Sequence, residues 1–168
     1  MPTPLSARLV LAGTRHRSRP SSSDYLARIF DNFVELHGDR TYGDDNSMIC
    51  GMGHLAGQTV MVIGHERRGE ERAGDYTSGG RTTPEGFRKA QRGMRLAAKF
   101  EIPLITMIDT PGPDLSEDAE DRGLGNAIAT TMELMAGLEV PSISVVIGEG
   151  GSGGALALGV ADRSLMLQ

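Results

Sequence analysis

The segment Gly148-Glu149-Gly150-Gly151-Ser152-Gly153-Gly154-Ala155 carries the densest chemical signal in the chain. It follows the apolar run SISVVI (142–147) and precedes ALALGV (155–160), so it reads as a strand-to-helix turn. The first N–H groups of a helix point outward unpaired. Glycines let another group's oxygen come close to that backbone. The partial positive charge at a helix start favours an anion, or an oxygen becoming one. A phosphate loop needs Lys-Ser/Thr after G-x-x-x-x-G, and Gly154-Ala155 stand there instead. A dinucleotide fingerprint needs an acidic residue at a strand end about twenty residues on; none stands there within this chain, which stops too soon to test that reading. Gly150 to Gly154 match the nucleophile-elbow pattern G-x-S-x-G, but that fold places its histidine after the serine. His16, His37, His54 and His65 all precede Ser152, so a serine hydrolase would need a different fold. In the remaining functional reading, the N–H groups of Gly153 and Gly154 form an oxyanion hole for a carbonyl oxygen that gains charge in the transition state. Tight strand–helix packing without a ligand explains the same glycines. The residues alone leave these last two readings evenly balanced.

Other polar groups offer little catalytic machinery. Asp109, at the end of IPLITMI, could act as a base, but it reads better as the cap of the Thr110-Pro111 turn. His65, at another strand end, reads as structural. Neither a Ser/His/Asp set nor a pair of carboxylates stands out. The single cysteine, Cys50, can form neither an internal disulfide nor a zinc knuckle, which fits a reducing, cytoplasmic setting.

Composition sets the frame for these groups. Glycine supplies 23 of 168 residues without a G-X-Y period, 39% of the chain is hydrophobic and only 4% aromatic. The apolar runs exclude a wholly disordered chain, and all fall well short of the ~20 residues of a membrane span. No secretory leader is evident. Residues 1–23 carry Arg8, Arg15, Arg17 and Arg19 and no acid, and are expected to be a flexible basic leader. The rest, 13 basic residues against 22 acidic, carries −9 and makes a poor nucleic-acid surface.

The ordered domain is expected over 24–168. Asp24 is the expected N-cap of a helix through residue 36, on the spacing of Leu26, Ile29, Phe30, Phe33 and Leu36. Strands are expected at 48–52 and 59–63 around the turn Leu55-Gln58. Thr83-Pro84-Glu85 marks a helix start, running to about Lys99. Strand, acidic loop and helix then follow at 102–108, 111–125 and 126–138. After the strand at 142–147 come a helix at 155–160 and a last strand at 162–167. Apolar runs separated by helical stretches imply βαβ crossovers and an α/β class.

Three segments carry a family resemblance: LARIFDNFVELHGDRTYGDD, TTPEGFRKAQRGMRLAAKFEIPLITMIDTPG and VPSISVVIGEGGSGGALALGVADRSLML. In unbroken order from about Asp24, they resemble the carboxyltransferase α subunit of bacterial acetyl-CoA carboxylase. The resemblance implies a crotonase-like superhelix of ββα units, incomplete after Gln168, where family members continue. It implies transfer of carboxylate from carboxybiotin, borne on a biotin carboxyl carrier protein, to acetyl-CoA, giving malonyl-CoA for fatty acid synthesis. This chain would form the carboxybiotin side of a hetero-oligomer, and a zinc-bearing β subunit the acyl-CoA side. Gly153 and Gly154 match the glycines that polarise the biotin ureido carbonyl. Gly80 and Gly112 match glycines lining the cleft, with Gly150 and Gly151 in the same turn, and Glu149 could orient biotin. Alternatives on the same fold are a thioester hydrolase, a decarboxylase or a non-catalytic partner-binding subunit. The sequence departs from the family at 113–121, where PDLSEDAED replaces a Tyr-Pro turn, and at Ser78, a family asparagine.

Overall fold

The computed structural model describes residues 6–16, 18–67 and 78–167. Most of the charged loop 65–75 lies outside them. Six strands form one sheet in the order β1-β2-β3-β4-β5-β6. They are β1 (Asp31–Glu35), β2 (Met48–Leu55), β3 (Gln58–His65), β4 (Leu104–Thr110), β5 (Ser142–Gly150) and β6 (Arg163–Met166). β1 to β3 pair antiparallel, and β3 to β6 pair parallel. The parallel crossovers run through α3 (Pro84–Phe100), then α4 (Glu117–Asp121) with α5 (Leu124–Ala136), then α6 (Ser152–Gly159). A hairpin followed by a crossover helix is the ββα unit.

One face of the sheet carries the main core. Met48, Cys50, Met61, Ile63, Leu104 and Ile108 meet Phe87, Ala90 and Met94 of α3, Ala127 and Met135 of α5 and Leu158 of α6. α3 forms because Pro84 presets the first turn and its apolar positions recur at helical spacing. Small residues let it lie close to the sheet: a methyl on Gly93 would sit 2.5 Å from the Cys50 sulfur. The opposite face is covered by α2 (Ser22–Ile29), with Leu26 and Phe30 over Ile49, Val60, Val62 and Met107.

Several expected elements shift. The helix expected from Asp24 through residue 36 is α2 followed by the strand β1. The Phe33 ring lies across Gly51, whose Cβ would be 2.5 Å from the ring, and close to Gly53. Those two glycines give β2 a slot that only an extended β1 can fill, and pairing overrides the helical spacing. The N-cap is Ser21, and Asp24 reaches back to accept from the Ser21 N–H at 2.8 Å. Within the segment expected to be a leader, Ala7–Thr14 form a helix, α1, capped by Ser6 and without a buried residue. Part of the expected acidic loop forms α4, where Ser116 accepts from the Ala119 N–H at 3.2 Å. α6 starts at Ser152, three residues before the expected Ala155.

Candidate active site

The carboxyl ends of β4 and β5 and the start of α6 meet at one edge of the sheet, where open α/β sheets place their ligands. The two strand ends are tied by the Gly151 N–H, which donates to the Thr110 carbonyl at 2.8 Å. Gly150 pairs with Thr110 as the last residue of β5. The Thr110 hydroxyl donates to the Gly80 carbonyl at 2.6 Å and accepts from the Gly112 N–H at 3.0 Å. The Asp114 N–H donates to the Thr82 carbonyl at 3.0 Å. Three segments, 78–82, 110–114 and 150–154, are thereby fastened together. All six glycines singled out from the sequence, Gly80, Gly112, Gly150, Gly151, Gly153 and Gly154, lie in them.

The glycines answer different demands. Gly80 (φ 80°) and Gly112 (φ 140°) occupy backbone conformations that side chains disfavour. At Gly80 a methyl would also meet the Asp109 carbonyl at 2.8 Å. At Gly151 a methyl would strike the backbone of Pro111, its carbonyl carbon 2.5 Å away. At Gly154 it would press on Gly112 and Pro113 backbone at 3.1 Å. At Gly153 the nearest atom is Ile128 Cγ2 at 3.5 Å, an ordinary contact, so packing does not require glycine there. Gly153 and Gly154 hold the second and third positions of α6, where N–H groups have no acceptor within the helix. The first N–H bonded back is that of Ala155, to Gly151 at 3.1 Å.

Beneath the turn lies a charge cluster that local sequence patterns do not reveal. Asp109 is buried and ion-paired with Arg19 and with Arg67, the latter at 3.3 Å. It also accepts from the Glu149 N–H at 3.0 Å. Glu149 in turn pairs with Arg15 at 2.6 Å and Arg67 at 3.0 Å. The hydrogen bond from Arg15, with that from Arg67, holds the Glu149 carboxyl below its usual range against the effect of burial. Gly148 is glycine because its Cβ would overlap the Arg19 guanidinium and the Asp109 carboxylate. Asp109 therefore does not cap the Thr110-Pro111 turn as expected; Thr110 does. Glu149 is engaged by two arginines and does not cap α6.

His65 ends β3 beside this cluster, accepting from the Asp109 N–H at 3.4 Å through Nδ1. Burial drives its pKa down to about 3. Its Nε2 is buried without a hydrogen-bond partner among the described residues. Ser152 opens α6 in the left-handed region at φ 56°, and no histidine hydrogen bonds to it among the described residues. Also among the described residues, no group of three or more His, Cys, Asp or Glu side chains could hold a metal. No helix there is long and apolar enough to cross a membrane.

This sheet, with its ββα build and its glycine turn at the strand ends, is a crotonase-like fold of the carboxyltransferase kind. A solved transcarboxylase 12S structure with hydrolysed methylmalonyl-coenzyme A bound superposes with a TM-score of 0.76 at 19% identity, covering 95% of this chain and 30% of that one. The β subunit of Pseudomonas aeruginosa geranyl-CoA carboxylase gives 0.68 at 22% identity over 84% of this chain and 25% of its own. At such identities the likeness is one of fold.

The chain belongs to the acetyl-CoA carboxylase carboxyltransferase family. The family profile described as acetyl co-enzyme A carboxylase carboxyltransferase-like matches residues 4–168. The acetyl-coenzyme A carboxylase carboxyl transferase subunit alpha of Nitrosomonas eutropha is 53% identical over 154 residues, 92% of this chain and 48% of the relative. A subunits beta/alpha protein of Saccharopolyspora erythraea is 52% identical over 159 residues, 95% of this chain and 28% of the relative. The chain spans about half the length of the curated alpha subunits it matches.

Proposed function

We propose that this chain supplies the carboxybiotin half of an acetyl-CoA carboxylase carboxyltransferase site, in which carboxylate passes to acetyl-CoA to give malonyl-CoA. The observation that carries this reading is Gly153. It is a glycine in the first turn of a helix, beside unpaired N–H groups, with room for a methyl as far as the protein's own atoms are concerned. A small residue where the fold leaves space gives an outside group a close approach to the backbone.

The turn fits a ureido carbonyl. Biotin, when bound, supplies a ureido nitrogen that carries the carboxylate and an oxygen that gains negative charge as the carboxylate leaves. The chain's own part is electrostatic: the Gly153 and Gly154 N–H groups, fixed by α6, face that oxygen without having to reorganise. Gly80, Gly112 and Gly151 let the three segments close up so that those donors stay in place. Asp109 holds the end of β5 through the Glu149 N–H. A β subunit carrying the acyl-CoA site, a biotin carboxyl carrier protein and a cytoplasmic setting complete the proposal.

The test is carboxyl transfer between biotin and acetyl-CoA, in either direction, with the β partner present. Gly153→Ala should keep or raise stability, since alanine gains about 0.5–1 kcal/mol over glycine in a helix. The methyl leaves the N–H in place but stands in the path of the incoming carbonyl; if it keeps that oxygen out of reach, the rate should fall by about 10² to 10³, the cost of a donor that can no longer be used. Ser152→Ala should change the rate less than threefold by comparison, roughly the scale of an uninvolved hydroxyl. A hydrolase using Ser152 gives the reverse order. An active Gly153→Ala beside a dead Ser152→Ala overturns the carboxyltransferase reading.

A further inference from the structure

Among the described residues four arginines border the glycine turn, and their charges are not equally committed. Arg15, Arg19 and Arg67 are ion-paired with Asp109 or Glu149. Arg81 is the exception among them. It is partly buried, and its Nη1 donates to a neutral acceptor, the Pro113 carbonyl, at 3.2 Å. No carboxylate pairs with it among the described residues.

Its position is set by the same ties that build the site. Arg81 follows Gly80, whose carbonyl is held by the Thr110 hydroxyl, and precedes Thr82, whose carbonyl is held by the Asp114 N–H. The guanidinium thus sits over the turn at 111–113. A Cβ on Gly112 would lie 3.9 Å from Arg81 Nη1 and 3.4 Å from Ser152 Cβ. The gap left by that missing side chain is therefore bordered by the Arg81 guanidinium on one side and the first residue of α6 on the other. A guanidinium has five N–H donors in a fixed fork suited to a planar carboxylate, and the Pro113 contact uses one side of it.

Resting on the carboxybiotin reading of this turn, we infer that Arg81 binds the carboxylate being transferred and so makes the site selective for the carboxylated form of its substrate. Backbone donors of α6 take the ureido oxygen, and the guanidinium across the Gly112 gap takes the neighbouring carboxylate. The anion goes to Arg81 because each of the other three cations is already ion-paired with Asp109 or Glu149. The negative charge of Glu149 is offset by its ion pairs with Arg15 and Arg67.

The experiment is equilibrium binding by calorimetry, with the chain assembled with its β partner, using biotin methyl ester and its N-carboxylated form as probes. The wild-type complex should bind the carboxylated form about ten to a hundred times more tightly, the range for one charge-assisted contact. Arg81→Gln should remove that preference and leave the affinity for biotin methyl ester unchanged. Arg81→Lys should restore part of it, and in carboxyl transfer Arg81→Gln should raise KM for the carboxylated donor more than it lowers kcat. An unchanged preference in Arg81→Gln overturns the assignment while leaving the reading of the glycine turn intact. Failure of the wild-type complex to bind either probe overturns both.

Discussion

Neutralising Asp109 tests whether the buried charge cluster, rather than the sheet alone, holds the glycine turn in place. Asp109→Asn keeps the side chain's size and leaves an oxygen to accept from the Glu149 N–H at 3.0 Å. What it removes is the negative charge between Arg19 and Arg67. Taking one partner from a buried ion pair costs about 3–5 kcal/mol, because the other charge stays buried without compensation. Here the side chains of Arg19 and Arg67 remain 19% and 21% exposed, so water recovers part of that loss. The expected cost is therefore about 2–3 kcal/mol. Urea unfolding at neutral pH reads it as a lower midpoint at unchanged slope, a shift of roughly 0.7–3 M for a slope of about 1–3 kcal/mol per M. A double-mutant cycle with Arg19→Gln should return a coupling of at least about 1 kcal/mol. A variant within about 0.5 kcal/mol of wild type, the scale of an ordinary surface change, would refute the clamp.

Two further outcomes follow from single residues. Because burial holds His65 neutral to about pH 3, its proton is taken up first by the unfolded chain, below its ordinary value of 6.5. Stability should be complete above about pH 6.5 and fall by about 1.4 kcal/mol per unit as pH drops toward 3; His65→Gln should flatten this slope, and an unchanged slope counts against it. Ser152 stands at φ 56°, where a side chain costs about 1–2 kcal/mol, so Ser152→Gly should raise stability by about 0.5–1 kcal/mol after glycine's own entropy cost, seen as a higher unfolding midpoint. A lowered midpoint would mean that the hydroxyl is engaged.

The sheet from β2 onward was legible because its signals are local. Thr83-Pro84-Glu85 starts α3, the apolar runs 102–108 and 142–147 fall within or across β4 and β5, and the turn between β2 and β3 lies where the break in apolar pattern puts it. The α2–β1 region misled for a physical reason. Leu26, Ile29, Phe30 and Phe33 have helical spacing, but the slot that claims the Phe33 ring belongs to Gly51 and Gly53, some twenty residues on. The charge cluster was illegible for the same kind of reason. Nothing near Arg15 or Arg19 indicates that Glu149 and Asp109, about 134 and 90 residues away, take their charges. A run of arginines reads as a solvated leader until the partners are placed.

The candidate site shows how a glycine-rich turn mixes two demands that sequence alone cannot separate. Five glycines around it have internal reasons. Gly80 and Gly112 hold unusual backbone angles, and Gly148, Gly151 and Gly154 have neighbours where a methyl would go. These five would be needed in a turn that bound nothing, which is why packing and an oxyanion hole looked equally good from the residues. Gly153 has ordinary clearance, and alanine would serve its helix better by about 0.5–1 kcal/mol. Gly150 has ordinary clearance too, with Val146 Cγ1 at 3.6 Å, but it ends β5 rather than opening a helix, so the glycine signal for function narrows from a motif to two positions, of which Gly153 is the one in the helix's first turn. The same distinction applies to the arginines. Three are used up in holding the turn, and Arg81, spent only on a carbonyl, is the one whose charge the fold does not need. Residues that the architecture can do without, placed where the architecture converges, are the ones we propose for contact with substrate.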